Sequence, residues 1–153
     1  MTEAVAIVVF DGDCGLCNGF VAWLIRRDRR RRFLIAGSAG APGRAVLEAG
    51  GLPASIAASS LVVWDGKAAA LRSDAVARVT AGLPWPWRAG MVLRAVPRRM
   101  RDAVYDAVAR RRPRRPAEDP ACGTPPPGLA QEWRSRLASV EDARRLPQLS
   151  AGA

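Results

Sequence analysis

The chain has 153 residues and a net charge of +10, from 24 basic and 14 acidic side chains, and it contains no histidine. Ser-His-Asp and Cys-His catalytic arrangements and His-ligated metal sites are therefore excluded. Three cysteines, two of them three positions apart, do not make the even-numbered framework of a secreted disulfide scaffold. Residues 4–10 are apolar and rich in β-branched side chains, the pattern of a strand covered on both faces. Asp11-Gly12-Asp13 ends the strand. A helix is expected over 14–30, with Cys17, Phe20, Val21, Leu24 and Ile25 on one face and a run of arginines at its negative end. Residues 32–36 read as a short strand. Residues 42–49 read as a short helix, with Pro42 in its first turn and Gly50-Gly51 beyond its end. A further apolar strand over 60–64 meets a hairpin turn at Asp65-Gly66, and 67–71 returns. Ser73 is an N-cap candidate for a helix over 74–81. The order is βαβα followed by ββα, an α/β pattern.

Pro84-Trp85-Pro86-Trp87 makes a bend, and helices are expected over 87–95 and 97–112. In the second, Met100, Val104, Tyr105 and Val108 form an apolar stripe, leaving Arg98, Arg99, Arg101 and Asp102 to the solvent. Residues 113–128 turn proline-rich and read as irregular, before a last amphipathic helix over 129–145. The expected organisation is one domain over 1–112 and a Pro/Arg-rich tail over 113–153. No apolar run approaches the roughly 20 residues of a membrane span. Met1-Thr2-Glu3 has neither the basic nor the apolar part of a signal peptide, so a cytoplasmic location is expected. Lys67 is the only lysine. Such an excess of arginine and alanine is what GC-rich coding produces, and no zinc-finger or RNA-recognition signature accompanies it, so nucleic acid is not an expected partner. Trp85 and Trp87, set among Arg88 and Arg94, are read as core and cap packing in preference to a membrane-surface or partner contact.

The chemistry concentrates at Cys14-Gly15-Leu16-Cys17, after a buried strand and at the opening of a helix within a βαβ pattern. At a helix N-terminus the unpaired N–H groups and the dipole favour a thiolate. Cys14 is thus expected to be the more exposed, attacking thiol, and Cys17, one turn on and facing inward, the resolving one. Three other readings stand beside this. Both cysteines are small apolar residues that suit a helix. They would serve as two of four zinc ligands, with Cys122 and a carboxylate supplying the rest. Finally, the apolar run followed by Asp11-x-Asp13 resembles the nucleophile motif of the haloacid dehalogenase phosphatases. That family needs a downstream Lys and an acidic pair, for which only Lys67 and Glu141-Asp142 are on offer, and its usual Thr or Ser is Gly15 here. Asp11 is a candidate proton relay to Cys17, against the plainer reading of a carboxylate that caps the turn. Asp13 is an N-cap candidate, and Cys122 a second resolving thiol or an incidental one.

The stretch from Phe10 through Asp11, Cys14, Cys17, Asn18 and Phe20 to Asp28 resembles the DCC family of predicted thiol-disulfide oxidoreductases, named for a D-x-x-C-x-x-C motif that Asp11, Cys14 and Cys17 meet. Arg72-Ser73-Asp74-Ala75, the stretch from Val96-Pro97 to Asp102-Ala103-Val104-Tyr105, and Asp119-Pro120-Ala121-Cys122 with Pro125 are similar too, so the resemblance spans about residues 5–125. It implies a thioredoxin/glutaredoxin-like βαβ-ββα core with additional C-terminal helices, and Cys14 and Cys17 as the functional pair. The implied activity is disulfide exchange with a protein or small thiol substrate and an electron donor, without metal or organic cofactor. A non-catalytic thioredoxin-like binding module with an Arg-rich surface is the alternative, alongside the Asp-dependent phosphatase. Two departures stand out. Where thioredoxin-like proteins carry a cis-proline before the third strand, this chain has Ser59-Ser60, and the aromatic residues usual in such tails are absent around Pro113.

Overall fold

The computed structural model describes residues 6–111 and 113–152. Its centre is a four-stranded sheet in the order β2-β1-β3-β4, formed by β1 (Ala6–Phe10), β2 (Phe33–Gly37), β3 (Val62–Trp64) and β4 (Ala69–Leu71). β1 runs parallel to β2, with Ala6 opposite Phe33 and Phe10 opposite Gly37. It is antiparallel to β3, with Val8 opposite Val63, and β3 is antiparallel to β4. The unbroken apolar run of β1 follows from this position: it is an inner strand, and all five residues are buried. Val8 and Phe10 point to one face, where they meet α1 (Gly15–Arg27) and α3 (Arg72–Gly82). Ile7 and Val9 point to the other, toward α2 (Ala41–Ala49) and α6 (Val140–Ala151). The parallel β1-α1-β2 half and the antiparallel β3-β4-α3 half give the expected thioredoxin-like mixed α/β core.

Several local expectations are corrected. The first helix ends at Arg27 and not at Arg30, because Asp28 turns its carboxylate inward to accept the backbone N–H groups of Arg32 and Phe33. A short 3-10 turn at Ala54–Ala58 carries no hydrophobic period long enough to have shown in the sequence. The segment Trp87–Ala95 is 3-10 and not α-helical. The single helix expected over 129–145 is two, α5 (Ala130–Arg136) and α6. They are parted where Ala138 N–H bonds the carbonyl of Ile35 and Ser139 opens α6 in a capping box with Asp142.

Ser73 does not cap α3. Leu71 holds that position without a side-chain bond, and the Ser73 hydroxyl donates to the carboxylate of Asp102 on α4 (Arg98–Ala109). Arg101 and Arg98 bond Asp74 at 3.0 and 3.1 Å. Of the residues expected to be solvated, Arg98 and Arg99 are exposed, but Arg101 and Asp102 lie against α3, because α3 offers them a carboxylate and a hydroxyl. Of the predicted apolar stripe only Tyr105 is half-buried, while Met100, Val104 and Val108 are exposed. The Ser73 bond, helped by Arg98 and Arg72 and opposed by some burial, holds the Asp102 carboxyl below the ordinary carboxylate range.

Residues 113–129 form no helix or strand, as expected of a proline-rich stretch, yet they pack closely on the core. Gly37 N–H donates to the Ala121 carbonyl, Thr124 N–H to Asn18 Oδ1, and Trp133 Nε1 to the Cys122 carbonyl. Trp133 is fully buried edge-on to Phe10, with ring centroids 5.8 Å apart. A Cβ at Gly12 would overlap the Pro120 carbonyl oxygen, so this position needs glycine for the two segments to meet.

Candidate active site

The turn between β1 and α1 is built by short-range polar bonds. Asp11 Oδ1 accepts from Asp13 N–H at 3.0 Å, and the Asp11 carbonyl accepts from Cys14 N–H at 3.1 Å. This places Cys14 at the N-cap of α1 in an extended conformation, with its sulfur accepting the backbone N–H of Cys17 at 3.3 Å. The N-cap is thus Cys14 and not Asp13. No disulfide joins the cysteines in this structure.

Asp13 is occupied elsewhere. Its carboxylate accepts from Ala117 N–H at 2.9 Å, and its carbonyl from Arg115 N–H at 2.8 Å. With the Gly15 N–H bond to the Pro113 carbonyl and a backbone bridge between Cys14 and Arg114, these contacts lay residues 113–117 as a strap across the helix start. The strap corrects the expectation that Cys14 is the more exposed thiol: Cys14 is 3% exposed and Cys17 is 7%.

Asn18, one turn beyond Cys14, joins the site although the sequence alone does not single it out. It is buried, and its Nδ2 donates to the carbonyls of Gly12 and Cys14 at 2.8 and 3.0 Å. Its Oδ1 accepts from Thr124, so one side chain ties the Cys14 backbone to the tail. The available signal was an amide standing on the otherwise apolar inner face of the helix, where a buried polar group has to find partners.

Two openings reach the pair. Cys14 lines a polar recess of about 180 Å³ with Asp11, Ala58, Ala109 and Arg114. Cys17 lines an apolar groove of about 220 Å³ whose walls include Leu16, Phe20, Leu61, Val76 and Tyr105. Ala109 belongs to both, so α4 forms the ridge between them. At the position where thioredoxin-like proteins carry a cis-proline, Ser60 Oγ accepts Arg72 N–H, and Leu61 N–H donates to the Tyr105 hydroxyl at 2.8 Å. Tyr105 therefore covers a backbone donor beside Cys17, a role its place in an apolar stripe did not suggest.

Asp11 lines the recess at Cys14 and not the groove at Cys17, the thiol to which a proton relay was expected, and one of its carboxylate oxygens is held on the turn. Cys122 lines neither opening. Burial pushes its thiol pKa up, and the neighbouring Asp119 carboxylate adds to the rise. Both carboxylates of the phosphatase-like motif are engaged by backbone amides. Among the described residues no three cysteine or carboxylate side chains converge in a way that would hold a metal ion.

Two cysteines one turn apart at a helix N-terminus, on a mixed α/β core, agree with what comparison finds. The family model for DCC1-like thiol-disulfide oxidoreductases matches residues 8–117. The chain is 31% identical over 127 residues to an uncharacterized Bacillus subtilis protein, YuxK, covering 83% of this chain and 92% of that one. It is 33% identical over 109 residues to a chloroplastic DCC family protein of Arabidopsis thaliana, covering 69% and 62% of the two chains. No solved structure matches. Since the family match takes in both cysteines, Asp11 and the sheet that carries them, the chain belongs to the DCC1-like thiol-disulfide oxidoreductase family.

Proposed function

We propose that the protein exchanges disulfides through Cys14 and Cys17, with Cys14 as the attacking thiol. The supporting observation is the Cys14 sulfur at the N-cap of α1, 3.3 Å from the Cys17 N–H. The Cys14 thiolate attacks one sulfur of a substrate disulfide. An S–S bond forms to Cys14, the substrate S–S bond breaks, and the departing thiolate takes up a proton. Cys17, having lost its proton, then attacks the Cys14 sulfur, releases the second substrate thiol and closes a Cys14–Cys17 disulfide. Two electrons have passed from the dithiol to the substrate, and an external dithiol donor restores the pair.

Asp11 is a carboxylate on the wall of the Cys14 recess, with the capping of the turn as its first duty. Arg114 in the same recess supplies positive charge toward a departing thiolate. Cys17→Ser removes the resolving thiol, so non-reducing electrophoresis should show mixed disulfides held through Cys14, and Cys14→Ser should show none. Absence of such adducts from a Cys17→Ser protein whose Cys14 alkylates readily would overturn the exchange reading.

A further inference from the structure

The chain carries an apolar, arginine-rimmed face that the exchange chemistry does not use. From Pro84 to Met100 every residue is exposed except Gly90 and Val96, which are partly so. The Trp87–Ala95 segment and α4 contain no buried residue. Trp85 is 79% exposed, Val92 72% and Val104 66%; Trp85 departs from the expected core and cap packing, while Trp87 packs edge-on against Trp23.

The face is linked through the groove at Cys17: Trp87 meets Trp23 edge-on with ring centroids 5.1 Å apart, Trp23 stands 5.6 Å from Phe20, and Phe20 lines that groove. Trp85 and Trp87, with Pro84 and Pro86, line a recess of about 400 Å³ together with Arg26, Arg27 and Arg29 from the end of α1. Arg27 stands 5.1 Å over the Trp87 ring. Leu93 then meets Met100 and Val104 in a second, apolar recess of about 360 Å³, which shares Val76 and Tyr105 with the groove at Cys17. No acidic residue occurs between Asp74 and Asp102 in the sequence. Asp74, Asp102 and Asp106 are turned to arginine partners on α3 and α4. Among the described residues Arg26, Arg29, Arg88 and Arg94 have no ion pair.

We propose that this face docks the protein on an anionic lipid surface, with the arginine-tryptophan recess at the phosphate headgroups and Met91, Val92, Leu93, Met100 and Val104 in the acyl boundary. Tryptophan with one apolar and one polar edge suits that depth, and arginines beside it meet the negative charge. A second copy of the chain fits poorly, since a two-fold contact would set the arginine rims against each other. Single-stranded nucleic acid would use the tryptophans and arginines but would leave the aliphatic side chains in water. Among the described residues no helix is long and apolar enough to cross a membrane, so the attachment is lateral.

Sedimentation of the full chain with vesicles tests this, comparing phosphatidylcholine alone with phosphatidylcholine containing phosphatidylglycerol. The expected result is binding to the anionic vesicles that weakens as salt rises. It should fall roughly fivefold per arginine removed in Arg26→Gln and Arg29→Gln, and be lost in Val92→Asp. Brominated acyl chains should quench tryptophan fluorescence in the parent protein and much less in Trp85→Phe. Melting temperatures of these surface variants should match the parent. The proposal is overturned by equal binding to both vesicles, by no binding, by Val92→Asp binding unchanged, or by a dimer or an oligonucleotide complex that Val92→Asp abolishes while vesicles are ignored. Exchange with a small soluble disulfide should be unchanged in Val92→Asp, and Cys14→Ser should still bind vesicles, so each reading can fail without the other.

Discussion

At the scale of single residues, access to Cys14 is governed by the bonds that hold residues 113–117 over it. Among the described residues the Asp13 carboxylate is the one side chain in that set, through its bond to Ala117 N–H. A charge-assisted bond of this kind contributes about 1–2 kcal/mol. Its removal raises the population of locally opened strap by roughly tenfold in a local-unfolding equilibrium. Asp13→Ala should therefore speed alkylation of Cys14 by a bulky reagent about tenfold while the small-reagent rate changes less. Equal acceleration with both reagents would mean that the strap is not the barrier. Cys122 behaves differently, because burial and Asp119 both favour its protonated form. At neutral pH it should be the slow thiol, and Cys122→Ser should leave exchange within about twofold of the parent. Asp11→Asn keeps an oxygen for the Asp13 N–H, so if the carboxylate serves the turn, the rate and its pH profile stay where they were. A slowed resolving step with a shifted profile would assign it the proton relay.

Among the elements, the α3–α4 contact is a polar one, and it carries a pH signature. The folded Asp102 carboxyl titrates below its ordinary value of 3.8, first because of the Ser73 hydroxyl. A depressed folded pKa stabilises the fold above that ordinary value, and the contribution disappears as pH falls through the lower, folded one. Ser73→Ala should thus cost about 1 kcal/mol at neutral pH, the typical worth of one such hydrogen bond. Denaturant midpoints of the two proteins should converge as pH falls through the folded value; a gap that persists in acid would point to lost packing at Ser73 instead. This contact also shows where the sequence was legible and where it was not. The strands, the α/β order and the placing of Cys14-Gly15-Leu16-Cys17 at a helix start all follow from patterns within ten or so neighbours, and the structure has them. The orientation of α4 does not follow in that way. Its stripe of Met100, Val104 and Val108 has the right period to be a core face, but Ser73 and Asp74, more than 20 positions back, turn the opposite face inward. Periodicity reports that a helix has two faces; which of them is buried depends on what the partner offers.

Across the whole molecule the same limit recurs, because the contacts that close the fold join residues over 100 positions apart. Arg136 on α5 is buried and bonds the Asp28 carboxylate at 2.7 Å, the Asp28 carbonyl at 2.8 Å and the Phe33 carbonyl at 3.1 Å. Its Nε donates to Glu132 at 2.9 Å. The other face of Asp28 takes the N–H groups of Arg32 and Phe33, so every polar atom of this pair is engaged. No local pattern pairs Asp28 with Arg136: each reads as one more charge in an arginine-rich chain. In the fold they lock the end of α1, the start of β2 and α5 into one unit, while Trp133 three residues earlier packs on Phe10. A buried pair of this kind adds little over an apolar substitute, but losing one partner strands the other charge in a dry interior. We therefore expect Arg136→Leu to destabilise the protein by about 3–5 kcal/mol, read as a lower urea midpoint with an unchanged slope. A chain ended at residue 112 loses Arg136 and Trp133 together and should fail to unfold cooperatively at all. A truncated protein that melts like the parent would show instead that residues 113–153 are an appendage, and that the strap over Cys14 is dispensable to the fold.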